Sequence, residues 1–338
     1  MNGTRRLEID TLRGIACIML VAYHVIGSTA QSGLRLDAGF YRDLNETLIY
    51  LRMPLFTFLS GLVYAYRPFS GGAKEYTIKK IRRLIVPMLT VGTLFVLMQM
   101  AIPGTNNSGV EQWYLIHIIP VGHYWFIESL FFVFLLVVLL EKAHVLDTLL
   151  AYFIVLIAAG YIYTLPLHSK ILSFTGFIYL LPYFLIGMGV KRYNLVQGSS
   201  KKIVCWLLLP TVTIVFGLIY MQWIEPFGKR SPQGLLLGAS ACIAIYALNL
   251  RFKFIAWIGV FSYSIYLFHV FCTAGSRVVL TKFGIEQVEV LLICGVVLGL
   301  IGPIFAESIF NRSSITRVAF LGKSPRPKPQ PIEAQPVG

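Results

Sequence analysis

Arg13 and His24 lie eleven residues apart in the first long apolar segment of the chain. In an α-helix that interval is three turns plus ~20°, so both side chains share one face, ~16 Å apart along the axis. Ionisable side chains inside a membrane are costly unless paired or hydrated, which makes each a candidate for chemistry. The pair suits an elongated substrate. An arginine at one end of the helix can hold a phosphate through two parallel hydrogen bonds. A histidine deeper in can take a proton from an attacking hydroxyl near neutral pH. The competing reading makes Arg13 a surface anchor and His24 a packed, satisfied histidine, and spacing alone leaves both open.

Further candidates sit in later segments. Lys79-Lys80-Ile81-Arg82-Arg83, shortly before Pro87, is a basic stretch that topology alone would produce, although it could also clamp phosphates or lipid headgroups. His123-Tyr124-Trp125 reads as an interfacial aromatic belt. Glu128 is about a turn into an otherwise apolar segment and could pair with a base or orient a catalytic histidine. The hydroxyl-rich run from Phe261 to His269 could hydrogen-bond between helices, with His269 at a depth comparable to His24. Arg52, just before Met53-Pro54, is near enough to a membrane surface to snorkel. His117, His144 and His168 fall in loops or at segment ends and are given no role. No P-loop, H-E-x-x-H, G-x-S-x-G or run of acidic ligands occurs, so hydrolysis by a serine triad or a metal is not expected, and no metal site is predicted.

These residues must be held by helices in a bilayer. Of 338 residues, 57% are hydrophobic and 13% charged, with a mean hydropathy of +0.73. A soluble domain carries about 25% charged residues. Apolar segments near 12–30, 47–67, 84–102, 122–140, 148–165, 174–190, 203–221, 234–250, 254–273 and 288–310 predict an all-α, polytopic bundle of about ten transmembrane helices. With the N-terminus in the cytoplasm, most of the 29 lysines and arginines fall inside, including Lys74, Lys79 to Arg83, Lys191, Arg192, Lys201, Lys202, Arg251 and Arg317. The positive-inside rule therefore favours a multi-pass protein with both termini cytoplasmic. The net charge of +14 reports this topology, and a nucleic-acid partner is not expected. Arg13 and His24 interrupt the first apolar segment, which argues against a cleaved signal peptide. The five cysteines (Cys17, Cys205, Cys242, Cys272, Cys294) form no C-x-x-C pair and read as buried thiols. A single membrane domain over 1–322 is expected, followed by a proline-rich, disordered cytoplasmic tail over 323–338.

The ordered motifs resemble those of the acyltransferase family 3 integral-membrane proteins, bacterial enzymes that O-acylate sugars of surface glycans. The resemblance rests on Ile9-Asp10-Thr11-Leu12-Arg13-Gly14-Ile15-Ala16 with His24, and on Met53-Pro54-Leu55-Phe56 running to Leu59-Ser60-Gly61. Arg82-Arg83-Leu84-Ile85-Val86-Pro87, Tyr124-Trp125-Phe126-Ile127 and Ser262 to His269 complete it, over roughly residues 5 to 310. It implies that Arg13 and His24 are essential and that acyl-CoA, commonly acetyl-CoA, is a co-substrate reached from the cytoplasm, with no other cofactor. The acceptor would be a glycan or lipid-linked sugar, and the compartment a bacterial inner membrane. On that footing Arg13, Lys79, Lys80, Arg82 and Arg83 are expected to bind CoA phosphates. His24, oriented by Glu128, is expected to act as general base. Asp10, Ser60, Trp125, Tyr263, Ser264 and His269 are expected around the pocket, with Ser60, Tyr263 or Ser264 as oxyanion donors. Lys80 stands three residues before Arg83, where some members have a second arginine, so a point charge replaces a planar fork there. The rival class is a transporter or flippase for a glycolipid or small solute.

Overall fold

Two glycines decide how closely the first helix can be approached. In α1 (Leu7–Ile26) a Cβ on Gly14 would collide with the carbonyl of Ile255, and in α12 (Lys253–Val260) one on Gly259 would collide with the carbonyl of Asp10. Such backbone contact substitutes in lipid for the hydrophobic drive that packs helices in water. It fixes α1 against α12 beside Arg13. At the other end of α1, Gly27 adopts φ 108°, which stops the helix one turn after His24. Glu8 and Asp10 occupy the first turn, where the positive end of the helix dipole favours carboxylates.

The computed structural model describes residues 6–102 and 113–325, and among these the regular structure is entirely helical. After α1 come α2 (Phe40–Thr47) and α3 (Ile49–Tyr66), bent by 43° at their junction. A helical run follows from α4 (Ala73–Lys80) through a wider π turn at Ile81–Ile85 into α5 (Val86–Ala101). Pro87 lacks an N–H and its ring crowds the preceding turn, and the π turn just before it absorbs the mismatch. The same device recurs at Val204–Leu208, ahead of Pro210.

The remaining helices are α6 (Trp125–Lys142), α7 (Leu149–Thr164), α8 (Phe174–Arg192), α9 (Gly198–Ile203) and α10 (Leu209–Tyr220). Then come α11 (Pro232–Ala247), α12, α13 (Ser262–Lys282), α14 (Val288–Phe310) and α15 (Ser314–Leu321). Among the described residues, seven helical runs are long and apolar enough to cross a membrane, or eight if the α2–α3 pair is one span. The protein is thus a polytopic helical membrane bundle. Helices α7 and α11 lie where spans were expected but have 16 residues each. At 1.5 Å per residue they reach about 24 Å, short of the roughly 30 Å hydrocarbon core.

One expected span is redrawn. The segment 254–273 is two elements, the short α12 and the longer α13, broken at Phe261. The apolar residues before Phe261 and the hydroxyl-rich run after it form one segment by hydropathy, which does not place the break. Helix α1 is central, packing on α3 to one side and on α12, α13 and α14 to the other. Helix α3 packs on α8, which in turn meets α6.

The expected tail begins at Lys323, and only its first three residues are among those described. Lys323 pairs with Glu307 and Ser324 accepts from Arg82 at 3.1 Å. The rest of the tail lies outside the described residues.

Candidate functional site

Three imidazoles meet in the bundle: the ring centroids of His24 and His269 are 4.8 Å apart, His123 and His269 4.9 Å, and His24 and His123 5.6 Å. They come from α1, α13 and the single turn before α6, and two tyrosines stitch the latter pair together. Tyr124 donates to the carbonyl of Leu267 at 3.1 Å, and Tyr266 donates to the carbonyl of His123. The hydroxyl-rich run of α13 therefore places His269 beside His123. His269 Nδ1 lies 2.8 and 2.9 Å from the carbonyls of Ile265 and Tyr266. Carbonyls only accept, so Nδ1 carries the proton and Nε2 of the neutral ring presents a lone pair. The Nε2 atoms of His269 and His123 are buried and have no hydrogen-bond partner.

His24 differs from the other two. Its ring is half-buried, and it borders a cavity of about 290 Å³ whose lining also includes His123, Arg52, Trp125, Tyr179 and Lys229. His123 is buried at 6% exposure and His269 at 0%. The arrangement is edge to face, and no three His, Cys, Asp or Glu side chains among the described residues are set to hold a metal ion.

The end of α1 is tied down close to His24. The carbonyl of Gly27 accepts from Arg42 Nη1 and from Asn45 Nδ2, both at 3.1 Å. Asn45 also accepts Arg52 Nη1 on Oδ1 at 2.6 Å. Arg52 does not snorkel as its position suggested. It is buried at 5% exposure with its guanidinium 3.7 Å from the centre of the Tyr23 ring. Stacking on an aromatic face and a neutral amide partner make this burial tolerable.

At the opposite end of α1, Arg13 pairs with Asp10 at 3.2 Å. The basic stretch runs alongside, so that Arg83 lies within electrostatic reach of Arg13, and Lys80 within reach of Arg83. Arg83 donates to the carbonyl of Leu321 at 2.7 Å and stacks 4.2 Å from the Tyr263 ring centre, and Tyr263 donates to the Arg83 carbonyl. Lys80 Nζ sits 3.2 Å from the centre of the Phe134 ring, and Lys79 is exposed. Helix α15 thus rests on the basic stretch.

A family model described as an acyltransferase domain matches residues 6–308, nearly the whole chain. The chain belongs to acyltransferase family 3. No curated protein and no solved structure matches it. This acyltransferase is therefore a membrane-embedded enzyme of the acyl-transferring class.

The acyltransferase brings only some of the expected residues together. Trp125 and His269 adjoin His24, Asp10 adjoins Arg13, and Arg83 lies near Arg13 with Lys80 near Arg83, while Arg82 reaches Ser324. Glu128 is not brought to His24. It is buried and accepts from Ser173 Oγ at 2.5 Å. The three expected oxyanion donors also point elsewhere: Ser60 donates to the Phe56 carbonyl at 2.8 Å, Ser264 to Glu307 at 2.5 Å, and Tyr263 to Arg83. Hydroxyls in lipid satisfy themselves on the nearest acceptor, which a linear motif does not reveal. Sequence reasoning gave His123 and Arg52 only interfacial roles and did not single out Asn45 or Lys229. His123 and Arg52 carried a readable signal as ionisable groups at or within apolar segments, whereas Asn45 and Lys229 lie in stretches with no pattern.

Proposed function

We propose that the enzyme moves an acyl group, acetyl in the simplest case, from acyl-CoA to a hydroxyl of a sugar in a surface glycan or glycolipid. The observation that carries this reading is His24: of three packed imidazoles, it is the least buried, it borders a cavity, and it shares its helix with Arg13 three turns away. Acyl-CoA enters at the Arg13 end, with its phosphates against Arg13, Lys79, Lys80, Arg82 and Arg83. Its pantetheine arm carries the thioester along α1 toward His24, over the ~16 Å between the two side chains.

The acceptor hydroxyl occupies the cavity and donates its proton to the His24 ring as its oxygen attacks the acyl carbonyl carbon. A C–O bond forms and the C–S bond breaks. The departing CoA thiolate takes the proton from His24, which returns to its neutral form. His123 and His269 brace the His24 ring from behind. The abundance of Lys and Arg at the Arg13 end supports a cytoplasmic location for that end and for both termini, in a bacterial inner membrane.

Purified protein in detergent, supplied with labelled acetyl-CoA and a glycan acceptor, tests the reading. Wild type should transfer label, and His24→Ala should lower the rate by about 10²–10⁴-fold, the contribution typical of a general base. Label transfer by His24→Ala at the wild-type rate would overturn it.

A further inference from the structure

The cavity beside His24 is cationic and has no acid in its lining. Arg52 and Lys229 both border it, and neither forms an ion pair among the described residues. Arg52 spends Nη1 on the side-chain oxygen of Asn45, at 2.6 Å, and on its carbonyl, at 3.3 Å. Both partners are neutral, so the charge of a buried guanidinium is left without a counter-ion. Arg52 and Lys229 also border an adjoining cavity of about 370 Å³ whose lining includes Asp43 and Glu46; Glu46 is held by Arg42 at 2.6 Å, and neither carboxylate pairs with Arg52 or Lys229 among the described residues.

Lys229 is positioned by its backbone. The loop between α10 and α11 is pinned where Tyr50 donates to the Phe227 carbonyl at 2.6 Å and Tyr163 to the Lys229 carbonyl at 2.5 Å. Arg230 then donates to the carbonyls of Leu165 and Leu167, each at 2.6 Å. Lys229 thus borders the His24 cavity, the adjoining one and a third of about 630 Å³. Its ammonium is 5.2 Å from the Tyr179 ring centre. Burial, and then the charge of Arg52, hold its pKa below that of an ordinary lysine. Two cations facing one acid-free space repel each other until an anion sits between them.

We infer that Arg52 and Lys229 form an anion subsite beside His24, and that the acceptor bears a phosphate or carboxylate close to the hydroxyl that is acylated. This deepens the reading of His24 as the base and rests on it. The CoA phosphates are assigned to the Arg13 end and do not compete for the subsite. The anion reaches it either on a soluble acidic sugar or on a lipid headgroup.

Binding is measured on the purified full-length protein in nanodiscs, without acyl-CoA, by quenching of intrinsic tryptophan fluorescence, to which Trp125 in the cavity wall contributes. The probes are sodium glucuronate, inorganic phosphate and neutral glucose. Glucuronate or phosphate should bind and glucose should not. Lys229→Gln, a cavity-facing change that leaves the buried Arg52 tie intact, should weaken the anion about tenfold. Nanodiscs containing anionic phospholipid should weaken the soluble probes if a headgroup is the source, whereas unchanged binding marks a soluble sugar. His24→Ala should bind the anion as wild type does.

Equal binding of glucose and glucuronate, or undiminished anion binding by Lys229→Gln, overturns the subsite. Anion binding that persists in a protein that transfers no acyl group leaves the subsite standing and removes the proposed reaction. Acyl transfer indifferent to acceptor charge does the reverse.

Discussion

Asn45 holds the two sides of the His24 cavity at a fixed distance: its Oδ1 takes Arg52 Nη1 at 2.6 Å, and its Nδ2 donates to the carbonyl of Gly27 at 3.1 Å. Arg52 belongs to α3, and Gly27 ends α1 three residues after His24. One buried amide therefore ties the cation to the helix that carries His24. An amide is the side chain for this task, since it offers a donor and an acceptor without adding a charge.

Asn45→Ala removes both bonds and leaves a buried guanidinium partly unsatisfied. A loss of about 1–3 kcal/mol of stability is expected, read as a lower unfolding temperature in detergent, with a fall in transfer activity. Asn45→Asp, which keeps an acceptor for Arg52 and loses the donor to Gly27, should fall between. An Asn45→Ala protein as stable and active as wild type would show that the tie is incidental.

His269→Phe tests whether the fully buried ring serves chemistry or packing. Phenylalanine keeps an aromatic ring against His24 and deletes the unpartnered Nε2 and the Nδ1 anchor. The expected result is a lower kcat with an unchanged KM for acyl-CoA, and a loss smaller than the about 10²–10⁴-fold expected at His24. An altered pH profile of kcat would mark a proton-handling role, because a purely structural substitution leaves that profile in place.

Much of this was legible in the chain. The apolar segments announced the bundle, and the eleven-residue interval put Arg13 and His24 on one face, which α1 realises as one uninterrupted helix. The break at Phe261 was not legible from hydropathy; it falls two residues after Gly259, whose close backbone contact with α1 joins segments distant in sequence. Glu128, Ser60, Tyr263 and Ser264 looked chemical because they are polar in apolar surroundings. The fold gives each a hydrogen-bond partner, within its own turn for Ser60 and on another segment for Glu128, Tyr263 and Ser264. Arg52 looked exposed because a linear reading cannot see Asn45 and Tyr23 close over it.

Gly14→Ala should destabilise the enzyme, since the added methyl meets the Ile255 carbonyl and backbone cannot swing away as a side chain does. The helix α1–α12 contact would open beside Arg13, lowering the unfolding temperature and the yield of folded protein. Gly275→Ala in α13 is the control. A Cβ there meets nothing within 4 Å, and helix propensity favours alanine by up to about 1 kcal/mol. Similar behaviour of the two variants would rule out close approach as the reason for Gly14.

Arg83→Lys should raise the KM for acyl-CoA more than it lowers kcat. The guanidinium serves the Leu321 carbonyl through Nη1 and sits over the Tyr263 ring, so it can do both and still offer donors to a phosphate. A lysine ammonium is a single point and must abandon one of these partners. A KM unchanged by the substitution would remove Arg83 from the donor site.

The affinity for an anionic acceptor should decline on the alkaline side at lower pH than an ordinary lysine would dictate. Lys229 is held below the usual lysine range by burial and by Arg52. The ammonium exists below that lowered pKa and is lost as pH rises through it, so the attraction is present at low pH and disappears upward. The other titratable groups facing this space are His24, His123, Arg52, Tyr23, Tyr179 and Tyr266, with Asp43, the Arg42–Glu46 pair, Tyr50 and Tyr220 around the adjoining cavity. His24 acts in the opposite sense, because a general base is disabled as pH falls. Its limb therefore appears in kcat on the acid side, and that of Lys229 in the acceptor KM on the alkaline side. Lys229→Arg, whose charge persists to far higher pH, should move the alkaline limb upward and leave the acid limb in place. A KM limb that stays put in Lys229→Arg would assign it to another group.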